Sequence, residues 1–135
     1  MARLILDSGA LFAVERNDSR VLGWLKEAFN VGPPPVVPTA VIAEAWRGGG
    51  PRSARVARLL KGCYKEILTE DIAKQAGTLL AQHSGLPRLG GKSRVVDAIV
   101  VITASLHIDA IILTSDLPDI TALTSGLPSL RAELV

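Results

Sequence analysis

Apolar positions fall into short runs divided by polar breaks, and the spacing inside the runs changes along the chain. "LIL" at residues 4–6 and "AIILT" at 110–114 are continuous apolar runs of strand length, and each leads into an aspartate, Asp7 and Asp116. Runs without alternation fit strands buried on both faces. "DSGALFAV" predicts a short helix after the first strand. "SRVLGWLKEAFN" at 19–30 sets Val21, Leu22, Trp24, Leu25, Ala28 and Phe29 at helical spacing, and the prolines at 33–35 end it. "PVVP" has room for only a short second strand, because proline removes ladder donors. "TAVIAEAWR" predicts an apolar helix with Thr39 as its N-cap, broken by Gly48 to Gly50 and Pro51. An amphipathic helix over "RSARVARLLK", a third strand over "CYKEIL" and a helix over "TEDIAKQAGTLLAQH" follow. After the glycine-rich loop "SGLPRLGGKS" come the strongly apolar helix "RVVDAIVVITASLH", the strand at 110–114, a short helix over "DLPDITALT" and a weak fifth strand near "LRAEL".

Strands alternating with helices predict an α/β domain whose central, mainly parallel sheet of four or five strands is flanked by helices on both faces. At 135 residues the chain is expected to form one domain, 1–135, with no internal repeat. In such a sheet ligands bind in the crevice outside the carboxyl ends of the strands, where Asp7 and Asp116 are both expected.

Composition narrows the classes without choosing among them. Apolar residues make up 48% and charged residues 21%, which is globular and not disordered. A net charge of +2 permits a polyanionic partner without requiring one. Cys63 is the sole cysteine, so there is no disulfide framework or cysteine zinc cluster, in keeping with a reducing compartment. No apolar stretch reaches the ~18 residues of a membrane span. The N-terminal apolar segment is too short for a signal peptide, and a soluble, cytoplasmic protein is expected.

Four acids carry the candidate chemistry. Asp7 and Asp116 each have an ordinary explanation as helix N-caps, and Asp116 with Asp119 resembles an imperfect capping box. Glu44 lies among Val41, Ile42, Ala43, Ala45 and Trp46, with little polar face to carry it to solvent, although an early helical position favours negative charge. Asp97 sits between Val95, Val96, Ala98, Ile99, Val100 and Val101 on a helix apolar nearly all round. Such a helix is buried, so its carboxylate needs a cation, a set of donors or a metal. Arg94, three residues earlier, is one such partner. If the four acids share one rim, a divalent cation must offset their repulsion, and an all-carboxylate set suits Mg²⁺ or Mn²⁺ better than zinc. Ions so held beside a mildly basic surface suit phosphodiester hydrolysis.

"LILDSGALFAV", "VPTAVIAEAWR", "VVDAIVVITA" and "IILTSDLPDI" together resemble the PIN-domain family, and within it the VapC-type toxin ribonucleases of toxin–antitoxin pairs. The resemblance covers nearly the whole chain. It implies a PIN-like three-layer sandwich and Mg²⁺- or Mn²⁺-dependent endonucleolytic cleavage of RNA. The implied acidic site is Asp7, Glu44, Asp97 and Asp116, with Asp7 and Asp97 as principal metal ligands and Glu44 on a second ion or the attacking water. Thr114 or Ser8 would fix a carboxylate by hydrogen bonding. Asp119 is an additional acid with a strong capping alternative. Where some relatives have a further acid before the third motif this chain has Arg94, which implies a weakened second metal site or a phosphate contact. The implied partners are an RNA substrate, a cognate VapB-like antitoxin and a second copy of the chain in a homodimer. A non-catalytic PIN-like module binding RNA or protein is the alternative, and its mark would be loss of acids.

Other signals are weaker. "LGGKS" lacks the first glycine of a phosphate loop, because Leu86 stands there, though Lys92 could touch phosphate. Arg52, Arg55, Arg58 and Lys61 share a helix side, read as solvated or as a contact for RNA or antitoxin. His83 and His107 lack metal-ligand spacing and are read as structural, and the aromatics are too scattered for a stacking platform.

Overall fold

The computed structural model describes residues 2–83, 94–127 and 129–135. The loop "SGLPRLGGKS", with Lys92, lies outside them. In chain order the elements are β1 (Arg3–Leu6), α1 (Ser8–Glu15), α2 (Ser19–Val31), β2 (Val36–Pro38), α3 (Thr39–Ala45), α4 (Gly50–Gly62), β3 (Tyr64–Glu66), α5 (Glu70–Gln82), α6 (Val95–Ser105), β4 (Ala110–Thr114), α7 (Leu117–Leu123) and β5 (Arg131–Leu134).

The sheet runs β3-β2-β1-β4-β5, with every neighbouring pair parallel. The apolar runs explain which strands are central. All five residues of β4 are buried, as are Leu4, Ile5 and Leu6 of β1, and the two pair from Arg3 with Ala110 through Leu6 with Leu113. The short strand β3 lies at an edge and exposes Tyr64 and Lys65, where fewer side chains can be covered. On one side α1 packs with α2 and α4; on the other α6 packs with α5 and α7 and lies over β1, β2 and β4. The result is the expected α/β sandwich with a wholly parallel sheet. The uninterrupted apolar sequence of α6 has its reason here, since Ala98 through Ala104 are all buried between sheet and helices. No described helix is long and apolar enough to cross a membrane.

Strand order makes one position special. After β1 the chain proceeds outward through β2 to β3, then returns to place β4 on the other side of β1. The boundary between β1 and β4 is therefore a topological switch point, where connections leave in opposite directions and open a crevice at the strands' carboxyl ends. Three helices begin around it. α1 follows β1, α7 follows β4, and α6 starts at this end because it descends into β4.

The expected cap at Thr39 is a correction. Pro38 is the N-cap residue, with extended φ −62° and ψ 136° at the end of β2, and Thr39 is already helical. Its hydroxyl is engaged elsewhere, accepting from the Leu68 N–H at 3.1 Å and so tying the end of β3 to the start of α3. Thr69 caps α5 as expected, accepting from the Ile72 N–H at 3.2 Å. His83 makes a local contact, its Nδ1 3.0 Å from the Leu79 carbonyl, whereas His107 Nε2 lies 3.7 Å from Glu66 at the end of β3.

Candidate functional site: an acidic cleft at the switch point

Asp7 is the first residue beyond β1 and the N-cap of α1, where its carboxylate accepts from the Ala10 N–H at 3.1 Å. The capping explanation and the cleft location thus hold together. The residue is 3% exposed. A second fixed partner is Thr114, the last residue of β4, whose hydroxyl bonds the Asp7 carboxylate and also accepts from the Asp116 N–H at 2.9 Å. One side chain therefore couples the ends of the two central strands. Asp116 stands at the start of α7 without a side-chain capping bond.

Asp97 enters from the first turn of α6, where the helix dipole favours a negative charge. Glu44 comes from α3, the helix after β2, and accepts a hydrogen bond from Ser8 Oγ at the start of α1. Asp7, Ser8, Glu44, Asp97 and Asp116 line one open cleft of about 390 Å³, together with Gly9, Phe12, Arg47 and Ser115.

The approach of α1 to the β4–α7 turn is very close. A Cβ on Gly9 would lie 2.1 Å from Ser115 Oγ and 2.7 Å from its backbone nitrogen, so no larger residue fits without displacing that turn. Gly9 and Ser115 set how near the helix bearing Asp7 comes to the turn bearing Asp116.

The acids perturb one another. Burial pushes the Asp7 carboxyl up to about 6, against the lowering effect of its bonds from Thr114 and the backbone of Ala10 and Gly9. Burial, followed by the negative charges of Asp7, Asp116, Asp119 and Glu44, pushes Asp97 up to about 7. Two carboxyls that resist ionisation, through burial first and neighbouring like charges second, mark a place where a cation could be accommodated.

Asp119 belongs to this crowd more closely than its sequence position indicates. It is 6% exposed, and one oxygen each from Asp97, Asp116 and Asp119 lie within 4.8 Å of one another, close enough to share a metal ion. The capping-box reading gives way because the Asp116 N–H donates to Thr114 while Asp119 meets Arg94 Nη2 at 3.4 Å. Arg94, the residue before α6, thereby reaches α7.

Arg47 was missed by sequence reasoning. It stands just after α3, whose C-cap is Trp46, bonds the Trp46 carbonyl at 2.9 Å and puts a cation on the wall of the acid cleft. Its only signal in sequence was its place three residues after Glu44. The arginine row on α4 is partly structural, since Arg55 donates to the Glu15 carbonyl at 2.7 Å.

Clustered carboxylates at the switch point of a parallel sheet define an α/β protein whose acids could hold a metal ion. No protein-family model matches the chain. No curated protein matches it in sequence either. Solved structures do match. DNA-bound VapBC from Salmonella typhimurium is similar at a TM-score of 0.64 and 14% identity, over 99% of this chain and 98% of that one. VapBC2 from Rickettsia felis, bound to a DNA fragment from its promoter, gives 0.67 and 12% over 98% of each chain. A Mycobacterium tuberculosis VapC described as a sarcin–ricin loop cleaving toxin gives 0.56 and 23%, over 79% of this chain and 86% of that one. These likenesses establish the fold: the chain has the PIN-like fold of VapC toxins.

Proposed function

We propose that the chain, as a single PIN-like domain over 1–135, is a Mg²⁺- or Mn²⁺-dependent endoribonuclease and the toxin of a toxin–antitoxin pair. The observation that carries this reading is the convergence of Asp7, Glu44, Asp97 and Asp116 on one cleft, with two carboxyls held near neutral pKa by burial and mutual repulsion. The donor set fits the ion. It is all carboxylate, and one oxygen each from Asp97 and Asp116 already lie within 4.8 Å of one another.

In this reading Asp7 and Asp97 are the principal ligands and Asp116 completes the set. Bound Mg²⁺ or Mn²⁺ supplies Lewis acidity toward the scissile phosphodiester and its attacking water. Thr114 keeps the Asp7 carboxylate in one orientation, and Ser8 does the same for Glu44. Glu44, the exposed member, would orient the attacking water in this reading. Arg47 on the cleft wall offers its guanidinium to a backbone phosphate, offsetting the repulsion between the acids and RNA.

Support for the partners comes from the company the fold keeps. The Salmonella typhimurium and Rickettsia felis structures are VapBC assemblies, so a VapB-like antitoxin is the proposed inhibitor, with a homodimer as the proposed free form and the cytoplasm as the place of action.

The deciding experiment is incubation of total cellular RNA with the purified chain and Mg²⁺, Mn²⁺ or EDTA, beside Asp97→Asn prepared identically. Metal-dependent cutting that disappears in the variant is expected. A folded, antitoxin-free wild type that binds RNA and never cuts under either metal would instead make this a non-catalytic binding module.

A further inference from the structure

Arg94 is a cation placed inside the acidic cluster, and its surroundings say what it does there. Its side chain is 10% exposed and that of Asp119 is 8% exposed, with 3.4 Å between Nη2 and Oδ1. Asp119 is at the same time one of the three acids whose oxygens lie within 4.8 Å of one another. The start of α6 therefore delivers two opposite charges to the cluster, Arg94 at its N-cap position and Asp97 in its first turn.

We propose that Arg94 is a built-in cation of the cleft that holds Asp119 out of the metal-binding set and limits the chain to one divalent ion. The inference rests on the metal site proposed above. A guanidinium does not lose its proton, so the charge it brings is permanent. It satisfies Asp119 and repels a divalent ion that approaches the same corner. The remaining acids, Asp7, Glu44, Asp97 and Asp116, line the open cleft, and these would hold the ion. A phosphate contact by Arg94 does not fit its burial, because a side chain 10% exposed and engaged with a carboxylate is not offered to a polyanion. Arg94 is thus a positioning residue that sets the number of ions.

The test is a Mn²⁺ titration of the full chain, followed by calorimetry and by the paramagnetic resonance signal of free Mn²⁺, so that the readout is stoichiometry and not cleavage. Wild type is expected to bind one ion, and Arg94→Lys, which keeps the charge, also one. Arg94→Gln is expected to bind two, because Asp119 is released to join Asp97 and Asp116. Arg94→Gln combined with Asp119→Asn is expected to return to one ion, with affinity within about threefold of wild type. The double variant removes both members of the Arg94–Asp119 pair, so neither is left buried without the other, and it decides the matter even if Arg94→Gln alone does not melt cooperatively. Two ions on the wild type, a single ion on folded Arg94→Gln, or a loss of affinity of about tenfold or more in the double variant would each overturn the inference. A folded wild type that binds no Mn²⁺ would contradict the metal site itself and this inference with it.

Discussion

The two ends of the sheet treat charge in opposite ways. At the amino end, Asp109 just before β4 meets Arg131 at the start of β5 across 2.9 Å, with both side chains more than half exposed at 53% and 57%. The charges are opposite, solvated and separable, and such pairs contribute at most ~1 kcal/mol. At the carboxyl end of the sheet, Asp7, Asp97, Asp116 and Glu44 crowd one cleft with Asp119 a fifth acid beside them, against the two cations Arg47 and Arg94. Folding gains nothing from that crowding, and burial, with like charge behind it, pushes Asp7 and Asp97 away from ordinary aspartate behaviour. The amino end is arranged for the stability of the chain. The carboxyl end is arranged for something the chain must bind.

The comparison predicts that changes of similar size will have very different consequences at the two ends. The largest effect is expected from Asp97→Asn, with RNA cleavage reduced by roughly 100-fold or more. In EDTA at pH 8 the same variant should melt at a higher temperature than wild type, because it removes the carboxyl most burdened by burial and like charge. A lower melting temperature would break the comparison. Gly9→Ala places its methyl 2.1 Å from Ser115 Oγ, and overpacking of this kind destabilises by ~1–3 kcal/mol. Denaturant unfolding should show that loss, and cleavage should fall with it as Asp7 and Asp116 move apart.

Thr114→Val keeps the shape at the end of β4 and removes the hydroxyl shared by Asp7 and the Asp116 N–H. The expected loss of stability is ~1–2 kcal/mol. The Asp7 carboxyl should also titrate higher, since its bond from Thr114 lowers it, and carboxyl-resolved NMR titration would show the change. The smallest effect belongs to the other end. Arg131→Ala should change stability by less than ~1 kcal/mol and leave metal-dependent cleavage untouched.

Much of this was legible in sequence, for local reasons. Unbroken apolar runs marked β1 and β4, and the apolar surroundings of Asp97 marked a buried α6, because burial leaves its trace in neighbouring residues. The acids at the strand ends were visible in the same way. What escaped depends on residues that meet only after folding. Thr39 looked like a cap, yet its hydroxyl serves Leu68, 29 positions away. Asp119 looked like half of a capping box, yet it faces Arg94, 25 positions earlier. Arg94 was weighed as a partner for Asp97 on its own helix, and the structure sends it across to α7. Arg47 carried no signal beyond its place three residues after Glu44, because only the course of the chain after α3 brings it to the cleft.

If the carboxyl end of the sheet crowds carboxylates for a divalent cation, thermal melting of the full chain at pH 5 and pH 8, in EDTA and in Mn²⁺, will show it. Asp7 and Asp97 hold their protons more tightly in the folded chain than at the ordinary value of 3.8. Their contribution to stability is therefore complete below pH ~4 and is lost as pH rises through the folded values of about 6 and about 7. In EDTA the melting temperature should fall by several degrees between pH 5 and pH 8, and Mn²⁺ should restore it at pH 8, where the ionised carboxylates bind the ion. A melting temperature that does not fall with pH in EDTA, or that is indifferent to Mn²⁺ at pH 8, would contradict the account.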